Sequence, residues 1–265
     1  MTMSTRRLLT IVGICLALIA AAVVGLVVTD SRDTTPPSPT PPATTSRAAN
    51  GQAAVPSKVP TADLFGNRLD VTVSEAGEAL AQDPSQRPNP AVPDYLWVPP
   101  AGLRWQRGWG GAALPVSTSD GPARIETGVA SGFANTPQGA ALAACDALAR
   151  ALAAPDGVWQ QVVRTRFLGG GQALIDRFDR SRTTPNSARY VTVPDGVRVL
   201  ASYQPDFAVV QIAVRARAGW TYGTWPMAWS DGDWRVRVPD DVETFWREPI
   251  SIDTLTGFGQ WAGIK

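Results

Sequence analysis

The sequence predicts an α+β protein: an N-terminal transmembrane helix, a Pro-rich linker, and an external domain of helices packed on a curved antiparallel sheet. Leu8–Val28 is free of charge and proline, and about 20 apolar residues suffice to cross a bilayer core. Between Pro137 and Arg180 apolar residues recur at three-to-four spacing, the period of an amphipathic helix. From Ser187 the period falls to two, and short turn sequences separate the apolar runs. The boundaries that follow are a cytoplasmic tail (1–7), a membrane span (8–28), a disordered linker (29–60), an extended Pro/Trp-rich arm (61–127) and an α+β domain (128–265).

Arg6 and Arg7 precede the apolar run, so the positive-inside bias leaves the N-terminus cytoplasmic and the remainder outside. Ala20–Ala22 offer small residues for cleavage, but Val23–Val28 continue the apolar run. A retained single-pass anchor is therefore expected rather than a signal peptide. Thr29–Pro60 holds prolines 36, 37, 39, 41 and 42 and few large apolar residues, the composition of a stiff spacer. In the arm, Ser74–Gln82 reads as one short helix, and Tyr95, Trp97, Trp105 and Trp109 stand among prolines and glycines as apolar pegs.

Thr136 suits a helix N-cap and Pro137 the first helical position. Leu142, Cys145, Leu148 or Ala149, and Leu152 form the buried stripe of that helix, and many alanines permit close approach to a sheet. Further helices are expected at 158–168 and 172–180, with Trp159, Val162, Val163 and Phe167, then Leu174, Ile175 and Phe178, facing inward. Five strands follow at 189–193, 197–203, 207–217, 220–229 and 234–238. Their short turns demand antiparallel neighbours, hence a meander. A short helix at 240–246 and an irregular tail close the chain.

Composition excludes several chemistries. Histidine is absent, which removes the commonest general base and metal ligand. Of the two cysteines, Cys15 lies within the expected membrane span and Cys145 far outside it, so they cannot pair within one chain. Gly169–Gly171 lacks the Lys and Ser or Thr of a phosphate loop. A net charge of +1 gives no field to draw nucleic acid. No catalytic residue, metal or cofactor is expected.

Arg215, Arg217, Arg235 and Arg237 fall on what read as neighbouring strands and offer a basic patch for a partner or an anionic surface. An ordinary wet sheet face is the plainer alternative. Asp176 and Asp179, with Tyr190, Tyr203 or Tyr222, are the candidates for an acid and a tyrosine in an isomerase-like site, although Asp176-Arg177 and Asp179-Arg180 look like a solvated helix face.

The order of helices then meander, ending in the run Trp229-Ser-Asp-Gly-Asp-Trp234-Arg-Val, resembles the nuclear-transport-factor-two-like fold over residues 130–240. That resemblance implies a helix packed into the concave face of a bent sheet, a cone. The stretch SDGPARIETGVASGFANTPQGAALAA, residues 119–144, is similar to an uncharacterised actinobacterial family of membrane-anchored external proteins. The whole arrangement looks like bitopic assembly factors of conjugation and type IV secretion machines, and like membrane proteins associated with mycobacterial lipid import. These resemblances imply a non-enzymatic scaffold at the cell surface that contacts the membrane through Leu8–Val28, other membrane or secretion proteins, and further copies of itself. Their alternative is a tryptophan-lined pocket for a lipid or other apolar ligand; isomerase-like activity is a third reading.

Overall fold

The computed structural model describes residues 58–262. Among them no helix is long and apolar enough to cross a membrane. The expected transmembrane helix Leu8–Val28 and most of the linker lie outside the described residues. The expected fold class is corrected accordingly: the described chain is a mixed α and β assembly with three separate sheets, and two of these contain parallel pairs.

Where an extended arm was expected, the chain forms a first sheet. β1 (Lys58–Ala62), β2 (Arg68–Val71), β3 (Arg104–Arg107) and β4 (Ala113–Val116) lie side by side in chain order. β2 and β3 run parallel, because a long excursion between them returns the chain to the same end. These strands are four or five residues long, too short for a period of two to stand out among the prolines and glycines around them. A hairpin of β5 (Arg124–Glu126) and β6 (Val129–Ser131) follows. The helix expected at 74–82 does not form. Gly77 sits at φ +80, outside the helical region, and Gln106 takes the backbone of Glu78 at both ends, by Glu78 N–H to Oε1 and Nε2 to Glu78 O.

α1 (Pro137–Ala153) is the central helix and is buried on nearly every side. Its start is fixed twice over. Thr136 Oγ1 accepts from Gly139 N–H at 3.0 Å and donates to the buried Asp120 carboxylate at 2.6 Å. Gly139 admits no side chain, because the Ala134 carbonyl occupies the space a Cβ would need. Gly139→Ala is expected to cost about 1–3 kcal/mol by overpacking, read as a lowered urea midpoint with an unchanged m-value. At the other end Arg182 donates to Ala151 O (3.0 Å) and Ala154 O (2.6 Å), satisfying carbonyls the helix leaves open.

α2 (Val158–Arg166) leads directly into β7 (Phe167–Leu168), and α3 (Gly171–Arg182) follows across Gly169 and Gly170. β8 (Gly196–Val199), β9 (Phe207–Arg215), β10 (Trp220–Ser230) and β11 (Asp233–Arg237) form the antiparallel meander that the turns required. The strand expected at 189–193 is instead a 3₁₀ turn, Ser187–Tyr190, followed by an irregular stretch. β7 adds to β11 in parallel, so this sheet is not purely antiparallel. Asp231 and Gly232, at φ +52 and +76, make the two-residue turn that Asp-Gly favours. Trp229 and Trp234 then meet edge to face across the hairpin at 5.4 Å.

Both faces of the sheet are covered. Val197, Val210 and Met227 pack inward under α1 in the core. Gln211, on the opposite face, is 7% exposed and accepts from Arg198 Nε at 2.7 Å. The covering element is the C-terminal segment, which was expected to be irregular. After a short helix α4 (Val242–Phe245), β12 (Ile250–Ile252) pairs with β10, and Gly259 bridges Val197. Phe258 stacks under the Arg198 guanidinium at 4.2 Å. Trp261 is buried, donating to Trp97 O and accepting from Trp105 Nε1.

Candidate functional site

Between α1, α3 and the inward face of β9 and β10 lies a cavity of about 950 Å³. Its position follows from side-chain size. α1 presents Cys145, Leu148 and Leu152 at successive turns, and α3 presents Phe178 and Ser181. Across the cavity stand Ile212 and Val214 of β9 and Trp225 of β10. Tyr190, Val191 and Thr192 close one side, and residues 237–250 form the rim opposite.

The chemistry of the walls is mainly apolar, with hydroxyls from Tyr190, Thr192 and Ser181. Ser181 Oγ is committed to Arg177, accepting from Nη1 and donating to the backbone carbonyl. The charged groups Arg237, Asp240, Arg247 and Glu248 line only the rim and are exposed. Cys145 is 8% exposed, and burial pushes its thiol up to about 12, with the Asp146 charge adding to the rise. Such a thiol is protonated at neutral pH and is a poor nucleophile.

The isomerase-like candidates do not converge. Asp176 and Asp179 lie exposed on α3, and Asp176 accepts from Gln172 Nε2 at 2.8 Å. Tyr190 and Tyr222 both line the cavity, whereas Tyr203 stands beside Trp234 at 6.3 Å between ring centroids. Burial pushes the Tyr203 hydroxyl up to about 12, with a contribution from Tyr95.

The four arginines do not form one patch either. β10 lies between β9 and β11, so the strands that carry them are not neighbours. Arg215 faces Trp220 and Arg235 follows the Ala228 end, about 26 Å apart along the strand. Arg215 pairs with Asp195 at 3.0 Å and Arg235 with Asp231 at 2.9 Å. Arg217 is exposed, and Arg237 alone of the four reaches the cavity rim.

Two buried ion pairs escaped the sequence reading. Asp146 and Arg150, both on α1 and both fully buried, meet at 2.7 Å. Arg150 also donates to Ala76 O and Gly128 O, tying the first-sheet segment to the helix. Arg166 meets Asp233 at 2.7 Å, and Asp233 further accepts from the backbone N–H groups of Gly132, Phe133 and Trp234. The i,i+4 spacing of Asp146 and Arg150 was the available signal, though on an otherwise apolar helix it marks a buried pair rather than a solvated face.

The fold and cavity define an α+β domain built around a largely apolar, open-mouthed space. Residues 70–260 match the family described as Domain of unknown function (DUF8175), and the chain belongs to that family. No curated protein and no solved structure matches it, so the nuclear-transport-factor-two-like cone has no structural relative to support it.

Proposed function

We propose that this domain is a non-enzymatic receptor for one apolar small molecule, lipid-like in polarity. The observation that carries the reading is the cavity. Its volume, about 950 Å³, lies in the range of small-molecule sites, which are mostly apolar with a few polar groups that orient the ligand. Tyr190 and Thr192 supply such groups. The exposed position of Asp176 and Asp179 and the protonated state of Cys145 favour binding over catalysis. The uncharged run Leu8–Val28 and the proline-rich stretch after it support a place outside the cytoplasm at the membrane surface. The assembly-factor reading draws on sequence resemblance alone, whereas the cavity favours a receptor.

Titration with the neutral apolar dye 1-N-phenylnaphthylamine tests this reading. The full chain should give saturable emission at one dye per chain, and Leu148→Trp, which fills the space, should abolish the saturable part while keeping native circular dichroism. Dye at 100 times its Kd should also stabilise the domain by about 2.7 kcal/mol. Equal emission from the two proteins would sink the proposal.

A further inference from the structure

Residues 238–249 leave the sheet after a last ladder bond, Val238 N–H to Leu168 O at 2.8 Å. β11 ends at Arg237 and β12 begins at Ile250, yet both pair with the same edge of β10, at Met227–Ser230 and Trp220–Tyr222 respectively. Between those segments the β10 edge from Gly223 to Pro226 has no strand beside it among the described residues. Alternation along the strand puts Gly223 and Trp225 on one face and Thr224 and Pro226 on the other, and all four line the cavity. The cavity therefore runs through the sheet edge and out beneath residues 238–249. Pro226 stands in the middle of an eleven-residue strand, a place proline takes only where its nitrogen faces an open edge.

We infer that residues 238–249 are a hinged strap over the entrance of this cavity, latched to α3 through Glu243, and that the ligand passes beneath it. The inference rests on the receptor reading above. Pro239 and Pro249 bracket the strap, each with its φ locked, so movement is concentrated between them. Glu243 Oε2 meets Arg177 Nε at 3.2 Å and Oε1 meets Arg180 Nη2 at 2.9 Å. Those bonds and the Trp246 ring, which stands edge-on to Phe178 at 5.1 Å and under the Arg177 guanidinium at 4.7 Å, join the strap to α3. On the sheet side Phe245 packs edge-on to Trp225 at 4.9 Å. The Glu243 side chain is 52% exposed. Its pair with Arg180, 59% exposed, is therefore weak and sensitive to salt, as a reversible closure requires, while Arg177 gives the latch a buried seat at 7%.

Cys145 lines the cavity and reports on the strap without any ligand. In the full chain, methyl methanethiolsulfonate should modify Cys145 roughly two- to fivefold faster in Glu243→Gln than in the natural protein, with peptide mass mapping separating Cys145 from Cys15. Arg180→Gln, an exposed change at the other side of the latch, should act in the same direction. High salt should accelerate the natural protein and leave Glu243→Gln unchanged. Equal rates in all three proteins, without a salt response, would overturn the strap.

Bound 1-N-phenylnaphthylamine should protect Cys145, and should leave faster from Glu243→Gln than from the natural protein. Faster labelling of the latch variants together with no dye binding removes the receptor and the ligand's passage but leaves a moving strap. Dye binding and protection, with identical labelling and release rates across the variants, keeps the receptor and removes the strap.

Discussion

Arg150→Ala is expected to remove about 3–5 kcal/mol of stability, because it leaves the fully buried Asp146 carboxylate without its partner. That is a large share of the roughly 5–15 kcal/mol that holds a domain together. It also frees the carbonyls of Ala76 and Gly128, so the first-sheet segment loses its tie to α1. The effect carries a pH signature. Burial raises the Asp146 carboxyl above its ordinary value of 3.8, while Arg150 opposes the rise. A carboxyl raised on folding contributes stability that is fully present below its unfolded value and is lost as pH rises through the folded one. Without Arg150 the rise is larger, so the deficit of Arg150→Ala should shrink as pH falls from about 7 to about 5. Denaturant melts at the two pH values check the sign. A double change, Asp146→Leu with Arg150→Met, should cost much less than Arg150→Ala, since no charge is left stranded. Equal losses would show that packing of the arginine stem, and not the charge pair, dominates.

Trp234→Ala should cost about 3–5 kcal/mol as well. The indole is fully buried, stands edge-on to Trp229, and donates from Nε1 to Ala134 O at 2.9 Å. Removing it leaves a large hole beneath α1 and takes one of two donors from the Ala134 carbonyl, which keeps the Thr136 N–H at 2.8 Å. Trp234→Phe should lose less, keeping most of the ring volume but not the hydrogen bond. Thermal melts of the pair separate the two contributions, and a loss below about 1 kcal/mol for Trp234→Ala would place this residue outside the cooperative core.

The helical layer and the meander were legible because each carries a local signature. Thr136-Pro137 announces a helix start, and the alternation around Val210, Ile212 and Val214 announces a strand, whatever those segments later touch. The first sheet was not legible. Its strands are only a few residues long, β2 reaches β3 across a 32-residue excursion, and the pairing is a matter of tertiary contact. The helix expected at 74–82 failed for the same reason: Gln106, far along the chain, takes the backbone of Glu78. Of the cavity, Cys145, Leu148, Leu152 and Phe178 were visible as inward-facing residues, but periodicity cannot tell a side chain that fills a core from one that borders an empty space. The strap left one trace, Pro226 within an otherwise good strand.

The bond between Trp105 Nε1 and Trp261 O joins residues 156 positions apart. Closing so long a loop is entropically expensive, and contacts of that kind slow folding. During synthesis the first sheet therefore waits for its last partner until nearly the whole domain has been made. Until then Trp97 and Trp105 lack the cover of Trp261, and the outer sheet face lacks that of Phe258. The segment from Ile250 to Trp261 thus serves as the closing clasp of the fold, which is complete only once that segment has docked.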